Sequence, residues 1–152
     1  MPTPKQSLES FFKKYDPAIA RQGKAVLAKL RKRIPGAVEM VYDNYNGLVI
    51  GFGPTEKASH AVLSILLQPS WVTLCFLIGA RLMDPDKRLR GEGNIVRHIR
   101  LDAVNDLDEP EIEALIEQSI ELASPPFNRK QKGYMVIKSI SAKQRPRRPI
   151  AK

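Results

Sequence analysis

Val38-Glu-Met-Val-Tyr-Asp-Asn-Tyr-Asn-Gly-Leu-Val-Ile-Gly-Phe52 is the stretch on which the fold turns. Val38 to Asp43 alternates, with Val38, Met40 and Tyr42 on one side, the period of a strand. Asn44-Tyr-Asn-Gly47 is a turn, and Asn46-Gly47 is a strong hairpin dipeptide because both residues tolerate positive φ. Leu48 to Phe52 then returns as a second strand. Downstream, Gly53 to Lys57 reads as a loop, His60 to Leu67 as a third strand, Gln68-Pro-Ser70 as a turn and Trp71 to Ile78 as a fourth strand. Asn94 to Leu101 reads as a fifth. The short connections between the first four favour antiparallel hairpins.

Helices lie on either side of this block. Ser7 to Tyr15 carries Leu8, Phe11, Phe12 and Tyr15 at helical spacing, with Ser7 as N-cap. Pro17 suits the first turn of a second helix, whose stripe is Ile19, Val26, Leu27, Leu30 and Ile34 and which Pro35-Gly36 ends. Pro110 to Ala123 is a third helix with Ile112, Leu115, Ile116 and Ile120 on one side. The expected fold is α+β, a single domain with a central antiparallel sheet of about five strands flanked by N-terminal and C-terminal helices. That domain is placed at residues 1–127. Residues 128–152 form a basic C-terminal extension, in which Gly133 to Ile140 is an edge strand or a docked segment and Ser141 to Lys152 is expected to be disordered.

Charge follows the same division. Residues 1–33 hold nine Lys/Arg and two Asp/Glu, residues 34–125 seven and fourteen, and residues 126–152 nine and none. The body is acidic and the net charge of +9 belongs to the two ends. Basic ends point to weak, salt-dependent contact with nucleic acid through the tail Lys143 to Arg148, although no aromatic stacking partner lies near the tail in sequence. No run reaches the roughly 18 apolar residues of a membrane span, so no membrane partner is expected. The single cysteine, Cys75, lies within an apolar strand and reads as a core thiol, and the expected location is cytoplasmic.

Candidate chemistry centres on the fifth strand. Alternation sets Ile95, Arg97, Ile99 and Leu101 on the side facing the helices, with Val96, His98 and Arg100 on the other. Arg97 must there meet a carboxylate, such as Glu39 or Asp43, or an anionic ligand. His98 and Arg100 are expected to share a face with Asp43, Tyr45, Trp71 and Thr73, either as a solvated surface or as a small-molecule pocket. The ligand-binding candidates are thus Arg97, His98, Arg100, Trp71, Tyr45 and Asp43. Gly91-Glu-Gly-Asn94 precedes a strand rather than a helix and reads as a turn, not a phosphate loop. No catalytic triad or metal-ligand spacing can be argued, and no cofactor is expected. The acidic stretch Asp102 to Glu121 reads as a solvated face, with Glu113, Glu117 and Glu121 as a weak alternative cation site.

Trp71-Val-Thr-Leu-Cys-Phe-Leu-Ile-Gly-Ala-Arg-Leu-Met-Asp-Pro85, Leu89-Arg-Gly-Glu-Gly93 and Arg97-His-Ile-Arg-Leu101 together resemble the YdhG-like family of small bacterial proteins, a domain of unknown function. Ile34 to Tyr42 is similar to that family's helix-to-strand junction, and the resemblance covers roughly residues 8–123. It implies a compact α+β domain. It also implies a link to relatives described as frataxin-like iron chaperones, a role that would fall on the acidic stretch. The resulting expectation is a non-catalytic binding module for a small anionic or planar ligand, as monomer or homodimer. Iron binding and nucleic-acid association through the basic ends are the alternatives.

Overall fold

The computed structural model describes residues 1–150. The architecture is α+β, with three helices and one six-stranded sheet. Helix α1 is Pro4–Phe12, α2 is Pro17–Arg33 and α3 is Pro110–Glu121. The strands are β1 Val38–Asp43, β2 Leu48–Gly53, β3 Leu63–Gln68, β4 Trp71–Phe76, β5 Arg97–Leu101 and β6 Tyr134–Ile140. Their order is β5-β4-β3-β2-β1-β6. The first four strands pair antiparallel as their short connections predict, β5 pairs antiparallel with β4, and β6 adds a sixth, parallel to β1.

Helix α1 starts earlier than Ser7. Thr3 and Gln6 form a capping box in which the Thr3 hydroxyl accepts from Gln6 N at 3.1 Å and the Gln6 carboxamide accepts from Thr3 N at 2.9 Å. Two otherwise orphaned N–H groups are satisfied reciprocally, which outweighs a lone serine cap one turn later. Helix α2 ends at Arg33, and the chain turns away at Gly36, where φ is +80° and a Cβ would run into the carbonyl of Asn128. Only glycine allows both the left-handed turn and that close approach. The third strand also starts later than His60, because Ala58–His60 forms a 3-10 turn.

Register builds three apolar rows on the helix-facing side. They are Val41, Ile50, Ile65, Leu74, Ile99; Leu48, Leu67, Val72, Leu101; and Phe52, Leu63, Phe76. Leu8, Phe11 and Phe12 of α1, Val26, Leu27 and Leu30 of α2, and Ile112, Leu115 and Ile116 of α3 belong to the same core. Each such apolar side chain contributes about 1.5–3 kcal/mol on burial. The ends of the rows are charged: Asp43 and Glu39 on β1, and Arg97 on β5. On the opposite side, Met40 packs near Gly53 and Ala61 under the Pro54–Val62 segment. The remainder of that side, over β3, β4 and β5, is open.

Beyond β6 the composition predicts disorder, but the structure anchors the described part of this segment, residues 141–150. Ser141 N donates to Asp43 O at 2.9 Å and Arg145 N to Tyr45 O at 2.9 Å. The Arg147 guanidinium is buried, donating to the Asp43 carboxylate at 2.9 Å and to the carbonyls of Asn44 and Tyr45. Lys14 reaches the other Asp43 oxygen at 2.7 Å. A fully buried carboxylate demands cations, and the tail supplies one of them. Residues 151–152 of the expected disordered tail lie outside the described residues.

Candidate ligand-binding groove

The open side of β3, β4 and β5 carries a groove of about 670 Å³, within the range typical of ligand sites. Its floor follows from register. Leu66, Thr73 and Arg100 form one cross-strand row, Ser64, Cys75 and His98 the next, and Gln68 with Trp71 closes the end. The segment between β4 and β5 returns along β5: Arg90 and His98 exchange both main-chain hydrogen bonds at 2.9 and 2.8 Å, which sets their side chains on the same face. Arg90 therefore joins the groove. Nothing in the local pattern around Leu89-Arg-Gly-Glu-Gly93 marks it, because the pairing is made by a turn that closes at Gly91, where φ is +120°.

Trp71 is the aromatic wall. It is 36% exposed, and its Nε1 donates to Gln68 Oε1 at 2.7 Å, which fixes the indole. The Arg100 guanidinium lies 4.0 Å from the ring centroid, a cation–π stack. Among the described residues neither Arg90 nor Arg100 is in an ion pair. Arg90 Nη1 donates only to main-chain carbonyls, the closer being Lys87 O at 2.7 Å. Arg88, also on the wall, is neutralised by Glu109 at 2.5 Å. Asp102 is the carboxylate on the groove wall.

The structure divides the expected ligand set. Trp71, Thr73, His98 and Arg100 are together in the groove. Arg97 does sit on the helix-facing side, but it meets neither Glu39 nor Asp43. It packs over Gly79, where a Cβ would stand 2.5 Å from Arg97 Cβ, and donates to the carbonyls of Gly93 at 2.6 Å and Val96 at 2.8 Å. Those carbonyls satisfy its Nη1 within its own loop. Glu39 instead accepts a bidentate pair from Arg31 at 2.7 and 2.8 Å. Asp43 points to the helices, and Tyr45 stands in the β1–β2 turn beneath Arg145 at 5.7 Å from guanidinium to ring centroid. Alternation sets Asp43 on the side of β1 opposite Tyr42, but which of those two sides faces the helices is settled only by pairing within the sheet.

Cys75 is cross-strand from His98. Burial pushes its thiol up, and a hydrogen bond with Ser64 only partly opposes this. The thiol therefore stays protonated at neutral pH and is no nucleophile. Alkylation by iodoacetamide at pH 7 is expected to be slower than for a free thiol and to accelerate only above the ordinary thiol range; rapid labelling at neutral pH would contradict this environment.

The acidic stretch does not gather into a cation site. Asp108 is bound by Lys29 at 2.5 Å and Arg33 at 2.8 Å, and Glu113 lies 3.3 Å from Arg33. The Asp106 carboxylate accepts from the main-chain N–H groups of Asp102 and Ala103. Glu117 and Glu121 are exposed on α3. Among the described residues no three His, Cys, Asp or Glu side chains stand close enough to hold a metal ion, and no helix is long and apolar enough to cross a membrane. Compared with family models, curated proteins and solved structures, the chain matches none.

Proposed function

We propose that this chain is a YdhG-like, non-catalytic binding module whose open sheet face takes a planar ligand bearing a phosphate or carboxylate. The carrying observation is the Arg100 guanidinium stacked 4.0 Å over Trp71 with no carboxylate partner. A planar ring gains flat contact against this pair. The anionic group then accepts charge-assisted hydrogen bonds from Arg90 and Arg100, with His98 beside them. The protonated Cys75 thiol supplies apolar floor rather than reactivity.

Adenosine monophosphate, adenosine and inorganic phosphate separate the two halves of this recognition. Calorimetric titration is expected to show binding of the monophosphate exceeding that of either fragment. Charge-assisted hydrogen bonds are worth about 1.5–3 kcal/mol, so Arg100→Ala is expected to weaken monophosphate binding at least about tenfold. Trp71→Ala is expected to weaken adenosine as well, and Arg97→Ala to change neither. Equal affinity in wild type and Arg100→Ala would remove the groove as the site.

A further inference from the structure

The groove is not isolated. Gln68 lines it and also lines a second depression, formed by Asn46 and Pro69 of two turns and by Arg145 and Arg148 of the tail. Arg148 in turn lines a third depression, between the end of α1 and the start of α2, with Lys13 and Arg21. Through these shared residues a tract runs from β5 around the β3–β4 turn, across the tail, to the α1–α2 junction. Among the described residues Arg90, Arg100, Arg145, Lys13 and Arg21 along it are in no ion pair, and Arg148 has only Asp16 at 3.5 Å. Trp71, 36% exposed, lines the tract, and Tyr45, 44% exposed, stands beside its tail side against Arg145. Each has an arginine against it, Arg100 at 4.0 Å and Arg145 at 5.7 Å.

We infer that this tract binds single-stranded nucleic acid, with the groove holding one nucleotide and the tail side holding its neighbours. The inference rests on the proposed reading of the groove and extends it. A small ligand would use the cations of the groove alone. A polymer that alternates phosphates with flat bases uses both aromatic–arginine platforms and the unpaired cations between and beyond them. A duplex keeps its bases stacked inside and leaves both rings unused. The tail side is also held in place, since burial of Arg147 on Asp43 fixes the chain that carries Arg145 and Arg148. The sequence places no aromatic beside the tail; folding brings Tyr45 there.

The test uses a uridine oligomer of about ten nucleotides, within the span of known single-strand sites, beside uridine monophosphate and a duplex of equal length. Trp71 is the one tryptophan, so its fluorescence reports stacking directly. The oligomer is expected to quench Trp71 and to bind at least about tenfold more tightly than the monophosphate, a further 1.4 kcal/mol. Arg145→Ala and Arg148→Ala are expected to weaken the oligomer severalfold and leave the monophosphate unchanged. Each lost phosphate contact should flatten the salt dependence of the affinity by about 0.7 in log–log slope. Both side chains are exposed, and unchanged unfolding curves confirm that the variants fold. If the monophosphate binds the groove but the oligomer gains nothing, or ignores Arg145 and Arg148, the tract is refuted and the groove reading stands. If neither binds, both readings fall. Duplex binding as tight as the oligomer's, without quenching of Trp71, would show only a polycation and also refutes the tract.

Discussion

Asp43→Ala is expected to destabilise the protein by about 3 kcal/mol, the low end of the range for breaking a buried ion pair, and to release the chain after β6. Asp43 is fully buried on the helix-facing end of β1, with Lys14 at 2.7 Å and Arg147 at 2.9 Å. Removing the carboxylate leaves the buried Arg147 guanidinium with carbonyls alone, and its Nε already has no partner. Arg147 belongs to a segment outside the helices and strands and can swing into water, which limits the loss. That escape is itself measurable, since trypsin is then expected to cut after Lys143 faster than in the wild type. Urea unfolding measures the first effect and digestion the second. A variant as stable as wild type, with a protected tail, would show that the carbonyls of Asn44 and Tyr45 suffice.

The same carboxylate sets a pH dependence. Burial alone would raise its pKa, but Lys14, Gln144 and Arg147 outweigh burial and hold it below the ordinary value. A carboxyl with a lowered folded pKa contributes stability above its unfolded value, about 3.9, and that contribution is lost as pH falls through the folded value. The stability gap between wild type and Asp43→Asn is therefore expected to be constant from neutral pH to about 5 and to close below about 4. A gap that closes near neutrality would implicate another group.

Tyr15→Phe is expected to cost about 2–3 kcal/mol, because it strands two buried main-chain groups with one deletion. Tyr15 is 1% exposed. Its hydroxyl donates to Leu67 O at 2.8 Å and accepts from Leu48 N at 2.9 Å, joining the ends of β2 and β3 from the helix side. Phenylalanine keeps the packing and leaves both the N–H and the carbonyl without a partner. The Arg147 guanidinium lies 6.0 Å from this ring, so the Asp43→Ala and Tyr15→Phe losses are expected not to add, as a double-mutant cycle would show. A loss under about 0.5 kcal/mol, the size of an ordinary surface change, would mean that water reaches the hydroxyl's place.

What the residues determined by themselves was local. The Asn46-Gly47 turn, the alternation of β1 to β5 and the stripes of α2 and α3 each lie within one element, where a period of two or 3.6 is written directly in the chain. Alternation also placed Arg97 opposite His98 and Arg100, and it brought Trp71, His98 and Arg100 to the open face. What only the tertiary structure decided was long-range pairing. Strand β6 joins β1 in parallel over nearly a hundred residues of separation. Arg31 takes Glu39, while Arg147 and Lys14 take Asp43, so Arg97 is left to its own loop. Arg90 enters the groove through a bridge to His98, and the tail gains Tyr45 as a neighbour. Composition marks Arg147 as one more cation of a solvated tail, yet its environment is fixed by a carboxylate 104 residues away. Which charge meets which depends on register and crossover. These depend on how whole elements bury their apolar faces together, and no window of sequence contains that information.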